Sequence, residues 1–278
     1  MALLVVLAGC SQGEPAAPQA QQSTSAAVAK SKISEFQNAI ATCMKRSGFR
    51  YVPDLRGAEP DDEAAGPTTY ADLRAHRAKY GFEVFAMFVY KGDPLVDPYA
   101  DPSEGDPNRK IIFSLSAGQS GSYTKARDKC YVSQAKAVLG KKVRGENDLR
   151  SAYLKALEAA KKSELDGDPR LLDLAGPYRD CLSGRGYRIV ASRPTEVGEA
   201  MLKLVETKAA ALYAQQEGIP AEKELTANPQ LTPGQARPHL DDEIKMASVD
   251  LECGKDFLPV YLPKLDAITS RVRDEWAI

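Results

Sequence analysis

Two stretches of the 278-residue chain carry the same cysteine motif, and this repetition constrains the fold more than any other feature. Residues 43–52 read CMKRSGFRYV and residues 181–190 read CLSGRGYRIV, so cysteine, glycine, aromatic residue, arginine and valine recur at equal spacing. A second pair, LSAGQ at 115–119 and LTPGQ at 231–235, follows in the same order, and a cysteine closes each series. We therefore interpret the chain as two related units, 33–145 and 146–278.

The cysteine motif predicts the end of a helix. Phe36, Ile40 and Cys43 fall on one face at the spacing of an amphipathic helix. Gly48, and Gly186 in the second copy, supply the left-handed residue that commonly ends a helix. We expect the aromatic residue after each glycine to fold back on the last helical turn.

The four cysteines of the two units are expected to form two disulfides. Three pairings are possible from the number of cysteines alone. The order of the repeated elements favours pairing within each unit, Cys43 with Cys130 and Cys181 with Cys253. We expect each bond to tie the first helix of a unit to its last.

The remaining pattern predicts a mainly α fold. An apolar stripe begins at Leu149 with three- and four-residue steps and predicts a helix between the two units, which ends near Gly167. No long alternation of Val, Ile and Thr is present, and strand signal is confined to residues 82–90 and 187–190.

The first residues resemble a bacterial lipobox, with Leu7-Ala8-Gly9-Cys10 closing an apolar run. The resemblance implies a diacylglyceryl group on Cys10, removal of residues 1–9 as a signal peptide, and anchoring to the outer side of the cell membrane. Residues 1–9 carry no Lys or Arg, so we expect the translation start to lie upstream. Residues 10–32, rich in Ala, Gln and Ser, are expected to form a disordered tether.

Both units also resemble the uncharacterised, cysteine-containing lipoproteins of actinobacteria. Their signature is Cys-Met, three residues and Gly-aromatic, with a Tyr or Trp shortly before the cysteine. The matching residues are Cys43, Met44, Gly48 and Phe49 in the first unit, and Tyr178, Cys181, Gly186, Tyr187, Glu243, Ala247, Asp250 and Cys253 in the second. The resemblance implies a cell-envelope lipoprotein in an oxidising compartment and brings no catalytic residue.

Candidate catalytic and metal-binding residues are few. His76 and His239 have no partner at the short spacing of a zinc site. Residues 118–122 (GQSGS) approach the Gly-x-Ser-x-Gly nucleophile motif, but Ser122 replaces the last glycine. We expect no catalytic site, no metal and no cofactor.

Acidic residues cluster in a proline-rich loop. Four Asp-Pro steps, at Asp93, Asp97, Asp101 and Asp106, surround Glu104. Calcium prefers such oxygen ligands, although no EF-hand spacing is present. We expect a stiff, solvated loop and leave calcium binding open; the acidic runs at 61–63 and 241–243 are also expected to be solvated.

Residues 82–90 concentrate aromatic side chains, namely Phe82, Phe85, Phe88 and Tyr90. The first interpretation is a buried core segment. The alternative is a binding surface for a peptide, a lipid or a partner helix.

The sequence predicts an envelope protein that binds rather than catalyses. Its formal net charge of −1 gives no support for nucleic-acid binding. We expect a binding or accessory lipoprotein that contacts the membrane through the lipid on Cys10, with an envelope protein or a cell-wall component as possible partner. The alternatives are a solute-binding protein of a transporter and a cell-wall hydrolase.

Overall fold

Helices make up nearly all regular structure of the chain. A computed structural model describes residues 19–55, 67, 69–97, 106–219 and 229–278, with side chains from residue 32 onward. Within these ranges there are ten α-helices and no strand, which confirms the predicted mainly α class. The helices are α1 (Gln19–Arg46), α2 (Tyr70–Tyr80), α3 (Ala86–Val89), α4 (Arg109–Phe113), α5 (Ala117–Gln134), α6 (Glu146–Leu165), α7 (Pro169–Gly184), α8 (Pro194–Glu217), α9 (Pro233–Cys253) and α10 (Leu258–Trp276). A π-helical turn, Ala135–Leu139, continues α5.

The two short strand signals do not produce strands. Residues 82–90 form turns and the single-turn helix α3, and residues 187–190 have an irregular backbone. A strand needs a second strand to pair with, and the described part of the chain offers none.

The expected disordered tether is partly helical. Helix α1 begins at Gln19, so residues 19–32 have a helical backbone continuous with the packed part of the helix. This helix, where a disordered tether was expected, has a local cause. Ala, Gln and Lys favour helix, and residues 19–46 contain neither Gly nor Pro. Residues 1–18, with Cys10 and the rest of the predicted tether, lie outside the described residues.

Both predicted helix ends are confirmed. Gly48 has φ +83° and Gly186 has φ +92°, which are left-handed values. The amide of Phe49 donates a hydrogen bond to the carbonyl five residues earlier at 3.0 Å, and the amide of Tyr187 does the same at 3.1 Å. These bonds define a Schellman motif at each site, and they turn the aromatic residue back towards its helix.

The second repeated element forms matching helix starts. The hydroxyl of Ser116 accepts the amide of Gln119 at the start of α5, and Thr232 accepts the amide of Gln235 at the start of α9. In each case the Gln side chain accepts the amide of the capping residue in return. These shared local structures agree with the repeat in the sequence; the relation between the two units stays a prediction.

Both predicted disulfides are present. Cys43–Cys130 joins α1 to α5 with a Cα–Cα distance of 5.7 Å, and Cys181–Cys253 joins α7 to α9 at 5.5 Å. The second bond does not reach the last helix of its unit, because α10 follows α9. They span 87 and 72 residues, and cross-links over such spans stabilise by about 4 kcal/mol in the loop-entropy model.

The apolar core draws on both halves of the sequence. A cluster around Tyr178 in α7 includes Leu73 of α2. A second, around Phe36 in α1, includes Leu149 of α6 and takes Trp276 of α10 at its edge. The third packs Phe85, Tyr80 and Val96 from the first half against Val205, Ala209 and Leu240 from the second. The halves therefore share their core.

We expect the two cap glycines to respond alike to substitution. A Cβ added at Gly48 or Gly186 meets no atom within 4 Å, so the cost of a side chain is conformational. Replacement by Ala should lower stability by roughly 1 kcal/mol, Val by more and Asn by least, because Asn tolerates the left-handed region. Thermal midpoints should follow the order Asn, Ala, Val at both sites; a Val variant as stable as the Asn variant contradicts this role.

Candidate functional site

Two adjoining chambers open between α1, α5, α6 and the end of α10. The larger has a volume of about 350 Å³ and the smaller about 70 Å³. Four residues line both of them: Asp54, Tyr131, Glu146 and Arg150. We call the pair of chambers the cleft.

The cleft has one apolar and one polar side. Ile33 and Phe36 of α1, Leu149 of α6 and Ile278 line the larger chamber. The smaller chamber has no such wall and is lined by polar side chains throughout. Ligand sites in proteins commonly combine an apolar wall with a few convergent polar groups.

A hydrogen-bonded chain forms part of the polar side. The hydroxyl of Tyr51 donates to Gln37 Oε1 at 3.0 Å, and the backbone N–H of Asp54 donates to the same oxygen at 3.1 Å. The Tyr131 hydroxyl lies 3.3 Å from that of Tyr51, whose proton is already directed to Gln37, so Tyr131 donates. Burial raises the pKa of Tyr131 to about 12, so its hydroxyl stays protonated near neutral pH.

Asn108 fixes the segment that closes the polar side. Its Oδ1 accepts the amide of Val52 at 2.8 Å, and its Nδ2 donates to the carbonyl of Val52 at 2.9 Å. This paired contact to one backbone residue positions Tyr51 and Asp54 on either side of it. Asn108 itself is almost fully buried.

The ionic groups of the cleft are incompletely paired. Glu146 Oε2 lies 2.9 Å from Arg127 Nε, yet that buried N–H is not aligned for a hydrogen bond. Burial raises the pKa of Glu146, while Arg127 and Arg150 act in the opposite direction. The buried Tyr123 hydroxyl also lacks a partner among the described residues. Buried polar groups are normally satisfied, so the Arg127 N–H is an exception within the cleft, whereas Tyr123 does not line either chamber.

The aromatic segment 82–90 packs largely as core. Phe85 is fully buried and stacks on His239 with ring centroids 5.0 Å apart. Phe82, Phe88 and Tyr90 are half-buried around it. Phe85 is therefore not accessible to a ligand, and a binding role for the three half-buried residues stays a prediction.

A buried carboxylate in α9 holds this segment. Glu243 accepts the backbone N–H groups of Phe82, Val84 and Phe85 at 2.7, 2.9 and 2.9 Å. A Cβ at Gly81, where φ is +62°, would lie 2.6 Å from Glu243 Cγ, so only glycine allows this approach. The acidic run 241–243 was expected to be solvated, and for Glu243 this is wrong, because three N–H donors compensate its burial.

A buried ion pair connects α2, α7 and α9. Arg77 and Tyr178 both donate to the carboxylate of Asp250, which is 1% exposed. Burial raises the pKa of Asp250, and Arg77 opposes that shift. The cost of removing two charges from water offsets much of their attraction, so the pair is weak evidence for net stability.

The other sequence candidates contact different residues. His76 Nε2 contacts Glu83 Oε1 at 2.8 Å, whereas His239 stacks on Phe85. Ser120 lies in the first turns of α5, not at the strand-to-helix turn that a nucleophile elbow requires. Cys10 lies outside the described residues.

The described aspartates of the proline-rich loop bond locally. Asp93 accepts the Tyr80 hydroxyl at 2.7 Å, and Asp106 accepts the Asn108 amide at 2.8 Å. Asp101, Glu104 and the run 61–63 lie outside the described residues. Where the structure describes the chain, no group of three or more His, Cys, Asp or Glu side chains is placed to hold a metal ion. In the same ranges, no helix has the length and apolar character needed to cross a membrane.

Comparisons with protein-family models, with curated proteins and with solved structures find no match for this chain. The functional argument therefore depends on the geometry of the cleft and on the sequence.

Sequence reasoning missed the cleft. Its polar residues come from separate parts of the chain, and although Tyr51 lies in the first cysteine motif and Asp106 in the Asp-Pro series, neither motif predicts a shared cavity. One signal was present: Gln37 follows Phe36 on the inward side of α1, and Tyr131 follows the bonded Cys130. A polar group beside a buried position needs a partner, and here the partners line a cavity.

We expect replacement of Glu243 by Met to destabilise the protein, because three backbone N–H groups lose their acceptor. The loss should be about 2 kcal/mol or more at pH 5 in urea unfolding, whereas Glu252→Met, at an exposed position of the same helix, should have little effect. Burial raises the pKa of Glu243 to about 7 from an ordinary value of 4.5. The native state therefore binds more protons, and the wild-type advantage should shrink as the pH rises from 5 to 8. An advantage that grows with pH contradicts this.

Proposed function

We propose that this protein is an extracytoplasmic, lipid-anchored lipoprotein that acts by binding a small ligand in the cleft. The observation that carries the proposal is the cleft itself, where buried polar side chains converge opposite an apolar wall. A cavity of about 350 Å³ is within the usual size of small-molecule sites.

The cysteines support the proposed compartment. Two disulfides are typical of proteins that mature in an oxidising environment. The lipobox-like residues that end at Cys10 add an anchor to the membrane surface. Together they favour a protein held outside the cytoplasm.

A solute-binding protein of a transporter is the second candidate. The cleft favours it, because Ile33 and Tyr131 from the first half face Glu146 and Ile278 from the second. Ligand contact with both halves of the chain could report occupancy to a membrane partner. An accessory subunit that binds an envelope protein or a cell-wall component remains compatible with the same site. A cell-wall hydrolase is the least favoured, since no nucleophile, base and orienting group come together among the described residues.

We expect Cys10→Ala to leave the folded part unchanged but to prevent lipid attachment and processing. Cys10 is the residue that the lipobox-like sequence presents for modification. Membrane fractionation and intact-mass measurement on the full chain check this. A Cys10→Ala protein that is still processed and still membrane-bound contradicts the anchor.

We expect Ile278→Trp to block the cleft, because a larger side chain there occupies the larger chamber. Saturation-transfer NMR with a pool of amphipathic small molecules should show binding to the wild type and a strong loss in Ile278→Trp. Leu172→Trp, at an exposed position of α7, is the matched control and should bind as the wild type does. Equal binding by all three proteins, or no binding by any, contradicts the proposed function.

A further inference from the structure

We propose that residues 187–192 form an edge to which an extended acidic segment of a partner protein adds as a β-strand. No residue of this edge lines the cleft, so the inference goes beyond the proposed function and does not depend on it. Three features of the segment support it: the alternating burial of its side chains, its unbonded backbone and the charge around it.

Burial in this segment alternates as it does along a β-strand. Every second residue is half-buried and packs against the apolar cluster around Tyr178, namely Tyr187, Ile189 and Ala191. The residues between them are exposed, namely Arg188, Val190 and Ser192. Val190 is 83% exposed, the highest value among the exposed large apolar side chains of the described residues. Successive side chains of a strand point to opposite faces, so this segment has one face on the core and one in solvent.

The backbone of the segment lacks the pairing that a strand normally has. Within the described residues, the N–H and C=O groups of residues 188–191 make no hydrogen bond. An edge with unpaired N–H and C=O groups is a template for pairing with another chain. The strand signal at residues 187–190 therefore corresponds to a segment that has one packed face and lacks a second strand.

The first half of the chain shows how such a position is satisfied. Val52 occupies the place in the first cysteine motif that Val190 occupies in the second. Asn108 binds both backbone groups of Val52, since it accepts the N–H at 2.8 Å and donates to the C=O at 2.9 Å. Two residues that face each other in an antiparallel sheet exchange the same two bonds. Asn108 therefore takes the place of a strand at Val52, whereas the same place at Val190 is open.

The charge of the edge favours an acidic partner. Residues 185–193 (RGYRIVASR) contain three arginines and no acid. Arg188 and Arg193 form no ion pair with a described residue, while Arg185 pairs with an exposed glutamate of α9. Glu196, the next acid along the chain, accepts two backbone amides at the start of α8. Carboxylates of a partner would pair with the free arginines, whereas a second copy of this segment would add further arginines.

The exposed face specifies the partner further. In β-strand addition, main-chain hydrogen bonds give affinity, and the side chains on one face give specificity. The residues of an added strand that lie opposite Arg188 and Val190 are two positions apart on the same face. We therefore expect an extended segment with an acidic residue two positions from an apolar one.

The first test measures peptide binding to the wild-type full chain at pH 7.5. The acidic probe is a pool of blocked hexapeptides of Thr that carry Asp or Glu two positions from Val or Ile. Two control pools have Lys or Arg in place of the acid, or methylated backbone nitrogens. The acidic pool should bind at least tenfold more tightly than either control and should shift the NMR amide signals of residues 188–191. No binding by the acidic pool, or equal binding by a control pool, overturns the proposal.

Four variants locate the binding. Val190→Pro removes an N–H that the fold does not use and should weaken binding of the acidic pool at least tenfold, whereas Val190→Thr keeps that N–H and should bind as the wild type does. Arg188→Glu should also weaken this binding at least tenfold. Arg50→Glu, at the matching exposed position of the first cysteine motif, should have no effect.

Circular dichroism and the thermal midpoint show whether each variant is folded. Arg188→Glu decides the outcome if Val190→Pro does not fold, because it changes only an exposed side chain. A folded Arg188→Glu protein that binds the acidic pool as the wild type does shows the proposal to be wrong.

A second copy of the chain is the other occupant that the experiments distinguish. Sedimentation velocity should show a monomeric wild type at the concentrations of the titration. Dimers that form in the wild type and disappear in Val190→Pro would assign the edge to self-association and overturn the acidic partner. Ile278→Trp should bind the acidic peptides as the wild type does, so failure of either proposal leaves the other intact.

Discussion

The carboxylate of Glu243 lies buried in α9 and accepts three backbone N–H groups of residues 82–85. This contact draws a segment of the first half of the chain onto a helix of the second. Phe85 then enters the core beside Leu240, and Arg77, on the preceding helix α2, reaches Asp250. Burying a carboxylate without hydrogen-bond donors costs free energy. The burial of Glu243 therefore depends on the N–H groups of residues 82–85.

Each half of the chain packs a segment onto the other half. While α2 and α3 pack on α9, the end of α10 returns to the first half, where Trp276 meets the cluster of Phe36 and Tyr123. The larger chamber of the cleft lies at this second junction and takes residues from α1, α6 and the chain after α10. The proposed binding site is therefore a product of the shared packing and would not exist in either half alone.

The disulfides join helices within one half of the chain, whereas the contacts of Glu243 and Asp250 join the two halves. Each disulfide joins helices within one half, α1 to α5 and α7 to α9. They restrict the unfolded chain and hold each pair of helices together. The two halves are joined by non-covalent contacts, of which the buried Asp250 and Glu243 interactions have the strictest geometry. Cleft shape is accordingly expected to depend on packing between the halves more than on the covalent links.

The sequence by itself determined the local features. Gly48 and Gly186 specified the helix ends, since their left-handed backbone and the following aromatic residue are local properties, and the repeated order of elements indicated the correct cysteine pairs. Only the tertiary structure decided how the halves share a core, that Glu243 is buried, and that Gln37, Asp54, Tyr131 and Glu146 surround one cavity. The helical run from Gln19 was missed because composition was taken to indicate disorder, although helix propensity and continuity with packed residues favoured a helix. Periodicity and capping depend on residues a few positions apart, whereas the cleft depends on side chains up to 245 positions apart (Ile33 to Ile278), whose meeting is set by the packing of the whole chain.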